Sequence, residues 1–183
     1  MVIMVNGSFG VGKTTVARLL RQALPGSSIY DPEWFGVGLL RLGKWFRVKR
    51  WRIDDFQHIP LWRKSVAAGI QLCRRFAGDP VIVPMTFSSR DYLGEVVTDL
   101  NQRGDGPRLF CLIADLETVQ QRLAERKLEP ASREAVWIDR RIRECVSAHR
   151  DSYFGESIDT KNRTAREVAE DILQRLKVVN HES

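Results

Sequence analysis

The sequence predicts a three-layer α/β fold, in which a sheet of five parallel strands is covered by helices on both faces. Short apolar runs bounded by turn residues alternate with longer segments of helical periodicity, which is the pattern of repeated strand–helix–strand units. The chain has 183 residues, of which 43% are hydrophobic, so it is long enough for one domain and short for two. We therefore expect a single domain over residues 1–183.

Five strands and six helices are expected to alternate along the chain. The strands are Val2 to Asn6, Ser27 to Tyr30, Pro80 to Pro84, Arg108 to Ala114 and Ser157 to Asp159. The helices run from Gly12 to Pro25-Gly26, Leu61 to Phe76, Ser89 to Arg103, Leu116 to Lys127, Arg133 to Arg150 and Thr164 to Lys177. Asp115 is a candidate N-cap, and Thr164 with Glu167 a candidate capping box. Insertions are expected at residues 32–60 and, as a short lid, at about 127–134.

The first strand breaks directly into a phosphate-binding pattern, Gly7-Ser8-Phe9-Gly10-Val11-Gly12-Lys13-Thr14, and a helix follows. Glycines let consecutive backbone N–H groups surround a phosphate, and the helix presents its positive end to the same anion. Lys13 adds a charge, and the Thr14 hydroxyl is a candidate Mg²⁺ ligand. A glycine-rich turn with a solvent-facing lysine is the alternative. The residues expected to bind ATP here are Gly7, Gly10, Val11, Gly12, Lys13, Thr14 and Thr15.

A carboxylate follows the second strand in Tyr30-Asp31-Pro32-Glu33, so Asp31 is expected at the same sheet edge as the P-loop. Such an acid can accept the proton of an attacking hydroxyl or hold a magnesium-bound water, although Asp-Pro also turns a chain. Asp31 is thus a candidate catalytic, metal-binding and substrate-binding residue. The third strand ends without an acid, so metal binding depends on Thr14 and Asp31. Thr86, which follows that strand, is a candidate substrate contact.

Arginines cluster after the fourth strand and predict a lid over the nucleotide. Arg122 and Arg126 are four residues apart and share a helix face. Planar guanidinium groups stack on purines and grip phosphates with two donors, so both are candidate ATP ligands and Arg126 a candidate catalytic residue. A solvated basic face paired with glutamates is the alternative. It stays open for the arginines further along, Arg133, Arg140, Arg141 and Arg143.

The insertion after the second strand is expected to hold the substrate. Residues 41–52 interleave six cations with three aromatic residues, which suits an anionic membrane, single-stranded nucleic acid, a lid over an amphiphilic substrate, or core contacts under a basic surface. Arg63, at the start of the next helix, is a candidate substrate-binding residue. The nearby His58 is interpreted as structural.

Net charge, cysteine spacing and the length of apolar runs limit the classes of partner and the cellular compartment that we expect. The net charge of +6 fits a partner rich in phosphate, and a nucleotide satisfies this without nucleic acid. The three cysteines have no CxxC spacing, which argues against a disulfide framework and a zinc site. No apolar run approaches the ~20 residues that cross a bilayer, and no secretory signal is visible at the start. A cytoplasmic protein is expected.

The motifs together resemble the bacterial tunicamycin-resistance proteins. The resemblance covers about residues 1–175 and rests on segments that occur in the same order, of which the fourth and fifth are the most specific: Asn6-Gly7, Tyr30-Asp31-Pro32-Glu33, Asp54-Asp55-Phe56-Gln57, Pro60-Leu61-Trp62-Arg63 and Ile82-Val83-Pro84-Met85-Thr86. More distantly, the chain is similar to adenylate, shikimate and gluconate kinases and to chloramphenicol phosphotransferase.

The resemblance implies an ATP-binding, nucleoside-monophosphate-kinase-like fold that protects cells from tunicamycin, a nucleoside antibiotic with a fatty-acyl tail. It implies that Lys13 and Thr14 serve phosphate and magnesium, that Asp31 serves substrate or metal, that Arg122 packs on adenine and that Arg126 reaches phosphate. Phosphorylation of the drug with Mg-ATP is the expected activity. ATP-dependent sequestration and a metabolite kinase of unknown substrate are the alternatives. Longer members carry an amphipathic C-terminal extension linked to membrane association, whereas this chain ends at Ser183; the oligomeric state is not predicted.

Overall fold

The computed structural model describes residues 1–32, 56–125 and 133–179. Its strands form a parallel five-stranded sheet with the order β2-β3-β1-β4-β5. The strands are β1 (Val2–Gly7), β2 (Ser28–Ile29), β3 (Val81–Pro84), β4 (Pro107–Ile113) and β5 (Glu156–Asp159). Since every neighbouring pair is parallel, the loops that leave the carboxyl ends of the strands meet along one edge.

Helices connect the strands in the predicted order. The helices are α1 (Lys13–Ala23), α2 (Pro60–Phe76), α3 (Arg90–Gln102), α4 (Leu116–Ala124), α5 (Arg133–Ala148) and α6 (Ala165–Val179). Short 3-10 turns, Phe56–His58 and Ser152–Phe154, precede α2 and β5. Most of the predicted insertion and the lid lie outside the described residues, so the single-domain organisation and the lid stay predictions.

Side chains of β1 alternate between two apolar cores, one on each face of the sheet. Val2 and Met4 join the core under α2 and α3, whereas Ile3 and Val5 join the core under α1 and α6. All four are fully buried, as expected for a central strand covered on both sides. The predicted α/β fold class is therefore confirmed.

Helix starts follow local chemistry, and both predicted caps are present. Asp115 Oδ1 accepts a hydrogen bond from the backbone N–H of Thr118 at 2.7 Å, at the start of α4. Ahead of α6, Thr164 N–H donates to Glu167 Oε2 at 2.7 Å, and Glu167 N–H donates to Thr164 Oγ1 at 3.2 Å. This reciprocal pair is a capping box.

The three cysteines are free thiols. Cys111 in β4 and Cys145 in α5 are buried, and Cys73 in α2 is half-buried. Burial raises the pKa of the Cys111 thiol to about 12. Among residues 1–32, 56–125 and 133–179, no helix has both the length and the apolarity needed to span a bilayer.

Candidate functional site

The P-loop, residues 8–12, connects β1 to α1 at the carboxyl edge of the sheet. Gly10 and Gly12 have φ angles of 79° and 104°, which L side chains rarely adopt. A Cβ at Gly10 would lie 2.9 Å from Leu123 Cγ, so the loop packs closely on α4 there. A Cβ at Gly12 would meet open space. The loop is therefore a cradle that leaves space for a ligand at the start of α1. The first turn of α1 carries no acidic residue that would repel an anion. These features fit a bound phosphate.

Lys13 lies over this cradle. Its Nζ donates a hydrogen bond to the carbonyl oxygen of Ser8 at 2.9 Å and lies 5.7 Å from the centre of the Phe9 ring. Lys13 is half-buried at the edge of the loop. A positive charge in this position complements the terminal phosphates of a nucleotide.

The structure brings the predicted P-loop residues together with Asp31. A cavity of about 140 Å³ is lined by Phe9, Gly10, Gly12, Lys13, Thr14, Thr15, Asp31 and Pro84. Thr14 offers a hydroxyl oxygen and Asp31 a carboxylate, which are the hard donors that Mg²⁺ prefers. No group of three or more potential metal ligands exists within the described residues. The donor set thus fits a magnesium ion that takes most of its ligands from phosphates and water.

A second cavity, of about 320 Å³, opens on the other side of the P-loop. It is lined by Gly10, Val11, Gly12, Thr15, Val16, Arg122, Glu125, Thr160, Arg163, Ala165 and Val168. Arg122 donates to Thr160 from both terminal nitrogens, at 3.1 Å to the hydroxyl and 2.7 Å to the carbonyl oxygen. Its guanidinium plane is thereby held at the cavity wall, where it suits stacking on a nucleotide base. Arg126 lies outside the described residues.

Gln57 links Arg63 to Thr86 at the exit of β3. Arg63 donates to the Gln57 carbonyl oxygen at 2.6 Å and to Glu95 Oε2 at 2.6 Å, and it stacks on Tyr92. The Gln57 side chain donates to the Thr86 carbonyl oxygen at 2.6 Å. Arg63 is only 7% exposed, so in this structure it supports the loop that carries Thr86. Direct substrate binding by Arg63 and Thr86 stays a prediction.

Two residues that received no role from the sequence, Asn6 and Trp62, also shape this edge. Asn6 Oδ1 accepts from Phe87 N–H at 2.8 Å, and Asn6 Nδ2 donates to the Phe87 carbonyl oxygen. Trp62 Nε1 donates to the Pro32 carbonyl oxygen at 3.1 Å and so ties α2 to the loop after Asp31. Asn6 was visible in sequence as the residue that opens the P-loop, whereas the Trp62 contact carries no sequence signal.

Helix α5 contributes a buried arginine and a tryptophan. Arg141 is 8% exposed and donates to Ser88 Oγ at 3.0 Å and Glu144 Oε2 at 2.9 Å. The Trp137 ring lies 5.8 Å from the Phe9 ring in an edge contact. Arg140 and Arg143, by contrast, form exposed ion pairs on the helix surface. Of the three arginines whose contacts are described, Arg141 reaches the site edge, and the role of Arg133 stays a prediction.

A comparison with known protein families gives a match over most of the chain. The family model described as an AAA domain matches residues 2–142. A search of curated proteins gave no match.

Solved structures match almost the whole chain. A tunicamycin resistance protein from Deinococcus radiodurans has a TM-score of 0.72 and 29% sequence identity, over 96% of this chain and 95% of that one. A gluconokinase from Sinorhizobium meliloti has a TM-score of 0.66 at 15% identity, covering 100% and 97% of the two chains. A shikimate kinase from Acinetobacter baumannii, in complex with shikimate, has a TM-score of 0.60 at 18% identity, covering 98% and 93%. The predicted resemblance and the P-loop kinase-like fold are confirmed.

Proposed function

Since this chain belongs to the AAA domain family, we propose that it binds Mg-ATP and transfers the terminal phosphoryl group to a hydroxyl of tunicamycin or a related nucleoside compound. The observation that carries this proposal is the single cavity lined by Lys13, Thr14 and Asp31. The similarity to a tunicamycin resistance protein supports the drug as ligand. The similarity to a gluconokinase and a shikimate kinase supports phosphoryl transfer to a small molecule.

The candidate site residues have separate tasks in this proposal. Lys13 neutralises the terminal phosphates, and the backbone N–H groups of the P-loop hold them. Thr14 and Asp31 would hold magnesium, which supplies charge neutralisation at the phosphate oxygens when it is bound. Asp31 orients the acceptor hydroxyl or takes its proton. Arg122 packs on the base, and Arg126 contacts phosphate.

Lys13→Ala and Asp31→Asn separate binding from transfer. Lys13→Ala is expected to abolish ATP binding and protection against the drug, because it removes the cation at the phosphates. Asp31→Asn is expected to keep ATP affinity and to lower transfer by roughly a hundredfold or more, the usual contribution of a general base. Calorimetric titration with ATP and a phosphate-transfer assay measure the two quantities. Full transfer activity in Asp31→Asn would show that this carboxylate has no catalytic role.

A second candidate function is ATP-dependent sequestration of the drug without chemistry. It is favoured by the exit of β3, where Pro84-Met85-Thr86 offers no carboxylate for metal binding. Mass spectrometry of tunicamycin after incubation with the protein, magnesium and ATP distinguishes the two, with Lys13→Ala as control. A drug that gains a phosphate only with the wild type supports transfer. An unchanged drug that binds in a titration supports sequestration, and binding of a common metabolite in its place indicates a metabolite kinase.

A further inference from the structure

Glu125 supplies the one carboxylate among the described residues that line the cavity of about 320 Å³ beside the P-loop. It is exposed and ends α4, where its backbone N–H donates to the Gln121 carbonyl oxygen at 3.1 Å. A negative charge at the C-terminal end of a helix interacts unfavourably with the helix dipole. The stability of α4 therefore does not account for an acidic residue at this position.

The two arginines that line the same cavity have other protein partners. Arg122 donates from both terminal nitrogens to Thr160. Arg163 donates to Asp171 Oδ2 at 3.0 Å and to two backbone carbonyl oxygens. In the part of the chain that the structure describes, the Glu125 carboxylate has no hydrogen bond or ion pair. Its oxygens can therefore accept hydrogen bonds from a ligand.

The rest of the cavity wall offers a nucleoside few acceptors. Thr160 Oγ1 donates to the Ile113 carbonyl oxygen at 3.1 Å, and the Thr160 carbonyl oxygen accepts from Arg122. Valine and alanine side chains form the apolar part of the wall. Glu125 is thus a strong acceptor in a wall whose other described polar groups largely serve one another.

Charge distinguishes the phosphate side of this cavity from the nucleoside side. Three residues also line the smaller cavity that contains Lys13, and they mark the phosphate side: Gly10, Gly12 and Thr15. A carboxylate repels phosphate oxygens, whereas it accepts hydrogen bonds from neutral N–H groups. Arg122, whose plane suits stacking on a base, precedes Glu125 by three residues, and residues at this spacing are neighbours on a helix surface. A base stacked on Arg122 would turn one edge towards Glu125.

We infer that the Glu125 carboxylate accepts a hydrogen bond from the exocyclic amino group of adenine, and that it thereby selects adenine nucleotides. This role rests on the proposed nucleotide binding and adds the identity of the base to it. Hypoxanthine and guanine carry a carbonyl oxygen in place of this amino group. The carboxylate repels that oxygen, so one side chain both favours adenine and disfavours the other two purines.

Titration with ADP and inosine diphosphate tests this selection, because the two ligands differ only at the base. The wild type is expected to bind ADP about tenfold more tightly, the size of one hydrogen bond to a charged group. Glu125→Gln should bring the two affinities within about twofold of each other, since an amide accepts from an amino group and donates to a carbonyl oxygen. Glu117→Gln makes the same exchange at an exposed position of α4 outside this cavity and should keep the wild-type ratio.

Calorimetric titration gives the dissociation constants. Each ratio compares two ligands on the same protein, so a smaller folded fraction in a variant does not change it. Equal binding of the two nucleotides by the wild type, or an unchanged ratio in Glu125→Gln, would overturn the inference.

Titration with 2′-deoxy-ADP separates the base from the ribose. If the wild type bound this ligand more weakly than ADP and Glu125→Gln removed the difference, the carboxylate would contact the ribose, and its assignment to the base would be wrong. Equal effects of Glu125→Gln on ADP and 2′-deoxy-ADP support the base. A wild type that binds none of the three nucleotides would overturn the proposed function itself, which sets this failure apart.

Discussion

At the residue scale, His149 shows how the site edge sets the protonation of a side chain. Its Nε2 donates to the Phe87 carbonyl oxygen at 2.7 Å, and only 2% of the residue is exposed. Burial lowers the pKa of His149 to about 4; the bond to Phe87 opposes this shift, and the positive charges of Lys13 and Arg141 add to it. The imidazole is therefore neutral at pH 7, with its proton on Nε2.

His149 makes folding stability depend on pH. Below its ordinary pKa of about 6.5 an unfolded chain binds a proton at this position, whereas the folded chain does so only near pH 4. The contribution is therefore complete above pH 6.5 and is lost as the pH falls towards 4, at a cost of roughly 2 kcal/mol between pH 7 and 5. Urea denaturation of the wild type and His149→Gln at both pH values measures it.

Gln is the chosen replacement because its amide can still donate to Phe87 but does not titrate in this range. The variant should lose less stability than the wild type on acidification, and His58→Gln, which changes an exposed histidine, should behave like the wild type. Identical losses in the wild type and His149→Gln would show that the acid sensitivity comes from other groups.

At the element scale, the start of α2 links two strand exits. Trp62 donates to the Pro32 carbonyl oxygen beyond β2, and Arg63 supports Gln57, which in turn holds the Thr86 carbonyl beyond β3. One helix thereby sets the spacing between the Asp31 side and the Thr86 side of the site. Further along α2, Gly69 packs against Tyr30, the residue before Asp31.

Gly69→Ala tests this link, because a Cβ there would lie 2.1 Å from the Tyr30 hydroxyl. Alanine favours a helix by about 1 kcal/mol, but the side chain of Tyr30, the residue before Asp31, must move. We expect phosphoryl transfer to fall by about tenfold to a hundredfold while ATP affinity is retained, since small misplacements of catalytic groups have effects of this size.

Ala68→Gly is the matched control one residue earlier on the exposed face of α2. It should lower the free energy of unfolding by about 1 kcal/mol and leave transfer unchanged, which is the reverse pattern. If Gly69→Ala transferred phosphate like the wild type, the contact with Tyr30 would have no part in positioning Asp31.

At the scale of the whole molecule, the candidate site is lined by residues that pack in, or lie directly beside, the apolar cores on both faces of the sheet. Val16, Ala165 and Val168 line the cavity beside Arg122 and belong to the core under α1 and α6 or pack against it. Asp31, by contrast, follows β2, and Tyr30 beside it packs on the core under α2 and α3. A nucleotide that fills both cavities would contact elements from both sides of the sheet.

Mg-ATP is therefore expected to stabilise the chain as a whole. At a hundredfold excess over the dissociation constant, binding to the folded state adds about 2.7 kcal/mol, which corresponds to a rise of roughly 5–10 °C in Tm for a chain of this size. Differential scanning calorimetry with and without Mg-ATP measures the shift, and Lys13→Ala should show almost none. A wild-type Tm that stays constant up to millimolar Mg-ATP would contradict nucleotide binding.

Local features of the fold were predictable from sequence, and contacts across the fold were not. The capping box of Thr164 and Glu167 and the P-loop glycines depend on neighbours within a few residues, so their patterns are visible in the chain. The β2, β3 and β1 exits could be placed at one edge because parallel topology requires it. The approach of Trp137 to Phe9 depends on how α5 packs across the loop. No periodicity encodes that packing.

The alkylation rates of the three cysteines can show which part of the molecule opens first. Cys111 lies on β4 opposite Asn6, close to the start of the P-loop. Cys145 is buried in α5, whereas Cys73 is half-buried in α2. Alkylation requires an accessible thiolate, and the raised pKa of Cys111 adds to its protection. The order in which the three thiols react under native conditions would therefore trace which layer separates first, without any introduced label. Slower reaction of Cys111 in the presence of nucleotide would report closure of the sheet edge where the phosphate binds.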